Sequence, residues 1–151
     1  MLPSTDCLSA IPALVRALSL SFVVASQSAY TCATTGKTTV AQIYGRILRA
    51  LGLLSNGSVV LKSGGDLISG HEGGTEEATL AILENAKGKV LVIDEAYMLD
   101  SSNYGKIALD MIVSKVMGSP GEDIAVLLLG YEDLIMKMLN NQNPGLKRYF
   151  T

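Results

Sequence analysis

The sequence is poor in the residues that build metal and disulfide sites: it has two cysteines, Cys7 and Cys32, and a single histidine, His71. The cysteines show no CxxC or Cys/His spacing, so neither a disulfide framework nor a zinc site is indicated. Charged residues make up only 17% of the 151 positions, and Lys and Arg gather in no cluster. With a net charge of -2 and a pI of about 5.3, the electrostatic footprint of a nucleic-acid binder is missing. No apolar run is long enough to span a membrane, because Arg16 and several serines interrupt the most hydrophobic stretch. That stretch, residues 17–25 (ALSLSFVVA) followed by SQSA, has the length of a secretory core. Yet Arg16 alone supplies positive charge ahead of it, and Asp6 opposes that charge. It reads instead as a first buried strand behind a ragged leader, or as a leader outside the fold. Internal repeats and low-complexity tracts are also lacking. The expectation is one globular domain in a reducing, intracellular and cytoplasmic setting, with no nucleic-acid or membrane partner.

What is present is an alternation of periods. Val40, Ile43, Tyr44, Ile47, Leu48 and Leu51 recur at helical spacing until Gly52, which predicts an amphipathic helix of about four turns. Asn56-Gly57 marks a turn, residues 58–61 (SVVL) a short strand, and residues 64–74 a loop with five glycines. A second helix is predicted over 75–87, with Glu76 and Glu77 at its positive end and Lys87 at its negative end. Residues 90–93 (VLVI) are apolar throughout, as in a strand buried on both faces of a parallel sheet. A helix over 103–117, with Tyr104, Ile107, Ala108, Met111, Ile112 and Val116 on one stripe, leads to a strand at 124–129 (IAVLLL) and a helix at 132–139. Such alternation is that of an α/β domain with a mostly parallel sheet.

Two places carry chemistry. Gly36-Lys37-Thr38-Thr39 opens the first helix, where unpaired N–H groups and the macrodipole favour an anion. Lys37 is placed to reach phosphate oxygens and Thr38 to ligate Mg²⁺. The tripeptide alone is weak, arising by composition in on the order of one in ten chains of this length, and the full GxxxxGK[ST] pattern asks for glycine where this chain has Thr31. The second place is Asp94-Glu95, two carboxylates ending an apolar strand. In a parallel sheet they emerge in the same crevice as the start of the first helix, Asp94 to hold Mg²⁺ through water and Glu95 to orient or deprotonate an attacking water.

From Gly36 to Phe150, the segments GKTTVAQIYGRILRALGLL, DLISGHEGGT, GKVLVIDEAYML, VLLLGYEDLI and NPGLKRYF resemble the AAA+ ATPases of the CbxX/CfqX type, in that family's order. The resemblance implies a three-layer P-loop NTPase core over 35–151, ATP and Mg²⁺ as cofactors, and a nucleotide site of Thr34, Thr35, Gly36, Lys37, Thr38 and Thr39. It further implies Asp94 and Glu95 as the Walker B pair, with Thr38 and Asp94 toward the metal and Glu95 catalytic. It also implies self-association into a ring, once a lid is supplied, that remodels a protein client.

The chain departs from the family in four places. TCATTGKTT stands where it has GxPGTGKTT, so Thr31, Ala33 and Thr34 replace Gly, Pro and Gly. His71 and Glu72 occupy the places of the aromatic and aliphatic pair that grips a client. The strand IAVLLL ends at Gly130-Tyr131 where a polar sensor is common, and Arg148, the candidate trans-acting finger, is displaced by one position. Residues 1–34 read as a leader, with the first strand as its one contribution to the fold. FVV at 22–24 looks too far upstream of Gly36 for a tight strand-to-loop connection. A misplaced exon boundary or truncated gene copy is the expectation for this leader, and the family's helical lid is expected to be missing.

Overall fold

A computed structural model describes residues 22–27, 36–71, 73–118 and 124–142, with backbone alone for 22–27, 36, 37 and 116–118. The elements run β1 (Phe22–Gln27), α1 (Gly36–Ala50), β2 (Val59–Ser63), a 3-10 turn (Gly64–Leu67), α2 (Gly74–Asn85), β3 (Val90–Asp94), a second 3-10 turn (Ala96–Asp100), α3 (Asn103–Gly118), β4 (Ala125–Tyr131) and α4 (Glu132–Asn141). The four strands make one sheet in the order β1-β4-β3-β2, and every pairing is parallel.

Parallel pairing demands that both faces be covered, and they are. Val90, Val92, Ala125, Leu127 and Leu129 point to one face, where Ala41, Tyr44 and Leu48 of α1 pack on them. Leu91, Ile93, Val126 and Leu128 point to the other, against α2, α3 and α4 through Leu83, Ala108, Leu109, Ile112, Ile135 and Met138. The chain is thus a three-layer α/β fold with a parallel sheet, the class expected of a P-loop NTPase core, with one helix on one side and three on the other.

Helix α1 lies on the sheet through a different stripe from the one expected. Its buried line is Ala41, Tyr44, Gly45 and Leu48, while Val40, Ile43, Ile47 and Leu51 remain between 38% and 57% exposed. The cause is a close backbone approach: a Cβ at Gly45 would overlap the Gly57 carbonyl oxygen, and one at Gly57 would lie 2.5 Å from the Gly45 oxygen. Small residues rather than large ones therefore set this contact. In α3 the stripe is rotated in the same sense, with Leu109 fully buried and Tyr104, Ile107 and Met111 half-buried.

Other boundaries shift for local reasons. Strand β1 extends three residues beyond FVV, pairing Phe22–Gln27 with β4, so eight rather than eleven residues separate it from Gly36. The expected second helix ends at Asn85 rather than 87, because Gly88 at φ 73 turns the chain into β3 and its carbonyl takes the N–H groups of Asn56 and Gly57, both at 2.9 Å. Lys87 still pairs with Glu84, at 2.6 Å. The glycine-rich stretch is partly ordered. Ser63 and Asp66 form a capping box on the first 3-10 turn, and the buried hydroxyls of Thr75 and Thr79 tie to Ser69 and Leu67.

Helix propensity alone would favour Gly45→Ala by about 1 kcal/mol. Because the added methyl meets backbone, the expected result is instead a loss of about 2 kcal/mol or more in urea denaturation.

Candidate functional site

The carboxyl ends of all four strands share one edge of the sheet, the edge at which open parallel sheets receive ligands. Helix α1 starts there with Gly36, Lys37, Thr38 and Thr39 in its first turn. Thr38 is half-buried and Thr39 exposed. Thr34, Thr35, Glu72 and Arg148 lie outside the described residues.

Strand β3 explains the position of Asp94. Val90, Leu91, Val92 and Ile93 are at most 1% exposed, so a charge is excluded until the strand leaves the core at Asp94, which is half-buried and in register with Ser63 of β2. Asp94 Oδ1 accepts the Glu95 N–H at 3.0 Å. Glu95 is exposed and, among the described residues, is the one non-glycine with positive φ, at 52 with ψ 41. A left-handed turn of this kind costs about 1 kcal/mol or more for a residue with a Cβ. It swings the chain directly from the strand into the second 3-10 turn.

That turn brings in residues the sequence reading left without a role. The Tyr97 hydroxyl donates to Glu95 Oε1 at 3.4 Å, and its ring lies 6.0 Å from the ring of Tyr131, tilted by 41°. Tyr97 sits inside VIDEAY, two positions past Glu95, so its proximity was readable; the turn that aims it was not. Gly64, from the other side, packs so closely that a Cβ there would stand 2.7 Å from the Glu95 carbonyl oxygen. The far end of the 3-10 turn is clasped to α4, since Asn141 and Gln142 donate to the two oxygens of Asp100 at 3.2 and 3.0 Å.

Thr38 also lines a groove of about 400 Å³ that runs with Gln42 and Arg46 down the flank of α1 to Gly57 and Leu61. Asp94 and Glu95 do not line it. Among the described residues, the two halves of the candidate site share the sheet edge, and this groove takes in only the α1 half. His71 is exposed at the tip of the loop before α2.

With this geometry in hand, the similarities to known proteins acquire positions. The chain is 36% identical over 133 residues to protein CbxX (chromosomal) of Cupriavidus necator, covering 83% of this chain and 41% of that one. It is 38% identical over 107 residues to a chloroplastic ribulose bisphosphate carboxylase/oxygenase activase of Cyanidioschyzon merolae, covering 68% and 34%. To the ESX-3 secretion system protein EccA3 of Mycobacterium tuberculosis it is 36% identical over 121 residues, covering 78% and 19%. The chain belongs to the AAA+ ATPases of the CbxX/CfqX type. No family model matches it.

It spans about two fifths or less of the length of these curated relatives. The match to CbxX covers 83% of the chain, whereas residues 36–151 make up about 77% of it, so that similarity reaches upstream of Gly36 toward β1. Among the described residues no helix is long and apolar enough to cross a membrane.

Burial, and next the Glu95 carboxylate, raise the ionisation of Tyr97 above the ordinary tyrosine range. The folded pKa then exceeds the unfolded value of about 10, so the stabilisation is complete below that pH and is lost as pH rises through the folded value. Tyr97→Phe is therefore expected to lessen the fall in Tm between about pH 9 and about pH 11, measured by circular dichroism.

Proposed function

We propose that this chain is the nucleotide-binding core of an ATP-driven protein remodeller, binding Mg-ATP at the carboxyl edge of its sheet and hydrolysing it to ADP and phosphate. The observation that carries the reading is the all-parallel sheet. It gives the start of α1, with Gly36-Lys37-Thr38, and the end of β3, with Asp94-Glu95, to one edge. The donor chemistry fits: a half-buried hydroxyl at Thr38 and a half-buried carboxylate at Asp94 are the hard oxygen ligands that Mg²⁺ takes.

In this reading the N–H groups opening α1, with Thr34, Thr35 and Thr39 around them, receive the phosphates, and Lys37 reaches the β and γ oxygens. Thr38 and Asp94 hold Mg²⁺, which when bound neutralises charge on those oxygens. Glu95 orients or deprotonates the attacking water, and Arg148 serves a neighbouring copy in a ring as a trans-acting finger. The ring and its protein client belong to a longer assembly, since relatives of different printed roles share this core. With His71 and Glu72 where the family places an aromatic and an aliphatic residue, the grip on a client by this loop is weaker.

A second reading rests on a specific feature. Thr31, Ala33 and Thr34 replace Gly, Pro and Gly in the loop, and a Cβ at 31 or 34 removes conformations that only glycine adopts freely. The chain would then be a pseudo-ATPase that keeps the fold as a binding or structural module.

One titration separates the two. If the first reading holds, ATP with Mg²⁺ raises Tm with the logarithm of its concentration above Kd, the stabilisation reaching about 2.7 kcal/mol at a hundredfold excess over Kd. Lys37→Ala abolishes the shift, and Glu95→Gln keeps the shift while eliminating phosphate release. Absence of any shift in the natural sequence, with its appearance once glycine stands at 31 and 34, establishes the pseudo-ATPase.

A further inference from the structure

We propose that Tyr97 is a positioning residue for the Glu95 carboxylate, braced from behind by the end of β4. Its purpose rests on the nucleotide-hydrolysis reading above, but its geometry does not.

Two elements meet at this side chain, and a third packs on the backbone of the glutamate it contacts. The 3-10 turn after β3 carries the Tyr97 hydroxyl to Glu95 Oε1 at 3.4 Å. Strand β4 supplies the wall behind the ring: Gly130 lies so close that a Cβ there would stand 3.0 Å from Cδ1 of Tyr97, and Tyr131 adds its own ring at 6.0 Å. The turn after β2 confines the glutamate rather than the tyrosine, with Gly64 against the Glu95 backbone. Glu95 itself is held at φ 52, a conformation that persists in a residue with a Cβ only where its surroundings impose it.

The chemical consequence follows from the inventory of donors and acceptors. An ionised carboxylate only accepts, and a phenol with its pKa raised remains a donor throughout neutral pH. Engaging Oε1 leaves Oε2 to accept from a water and restrains how the carboxylate turns toward it. The ring of Tyr97, unable to retreat past Gly130, converts the position of the β4–α4 corner into an orientation of Glu95. Aligning a general base within hydrogen-bond reach of its proton is a contribution to kcat rather than to substrate binding.

The test uses the full chain labelled with 13Cζ-tyrosine. The resonance of Tyr97 is assigned by its loss in Tyr97→Phe, and the other five of the six tyrosine signals report on folding. The expected result is that Glu95→Ala and Tyr131→Leu each move the Tyr97 resonance while most of the others stay in place. In the same proteins, Tyr97→Phe lowers kcat for ATP hydrolysis about tenfold and leaves KM and the ATP-induced thermal shift within about twofold. A Tyr97 resonance indifferent to Glu95→Ala overturns the proposal, as does a Tyr97→Phe variant with unchanged kcat. If the natural chain hydrolyses no ATP, the hydrolysis reading fails alone, and the spectrum still decides whether Tyr97 holds Glu95.

Discussion

The structure depends on the double burial of β3. Four consecutive apolar residues, Val90 to Ile93, lie between β2 and β4 with α1 on one face and α2, α3 and α4 on the other. A carboxylate inside that stretch would carry an uncompensated desolvation cost of several kcal/mol. Asp94 and Glu95 are thereby confined to the first positions beyond the core. The layering that stabilises the sheet is also what delivers two acids, side by side, to the edge where α1 begins.

From that edge onward, backbone geometry takes over from burial. Glu95 leaves the strand in a left-handed turn, and the 3-10 segment behind it is fastened at both ends. Gly64 and Gly130 admit it closely near Glu95 and Tyr97, and Asp100 is gripped by the last side chains of α4. Glycines at 45, 57, 64 and 130 occur where two backbones, or a backbone and a ring, must approach more closely than a Cβ allows. They set the spacing of α1, β2 and β4 about β3, and with it the frame of the candidate site.

Much of this was legible in the sequence. The order of helices and strands, the parallel class and the emergence of Asp94 at a strand end followed from periodicity, because an unbroken VLVI run has few other places to go. The buried faces of α1 and α3 were less legible. A stripe of large apolar residues predicts burial of Val40, Ile43 and Ile47, but close packing on a sheet selects Ala41 and Gly45, whose small size no hydrophobic periodicity rewards. Tyr97 was read as part of a motif and given no task, since its contact with Glu95 arises from a positive φ that a glutamate gives no reason to expect. Strand β1 was the hardest case: FVV is short, and only pairing with β4 extends it to Gln27.

The departures in the phosphate loop act on a different quantity from all of these. The sheet and its two covering layers are held by the core contacts of β2, β3, β4 and the helices around them, and Thr31, Ala33 and Thr34 lie outside the described residues. A side chain at 31 and 34 in place of glycine bears on how closely a backbone can wrap a phosphate, whereas β3 and the Glu95 turn are set by burial and by close glycine contacts at other positions. It follows that stability of the fold is no measure of nucleotide affinity here. An ATPase core and a pseudo-ATPase would share the same sheet, the same buried β3 and the same Asp94-Glu95 turn. What distinguishes them is the linkage between stability and ATP, because only a state that binds the ligand gains from its concentration.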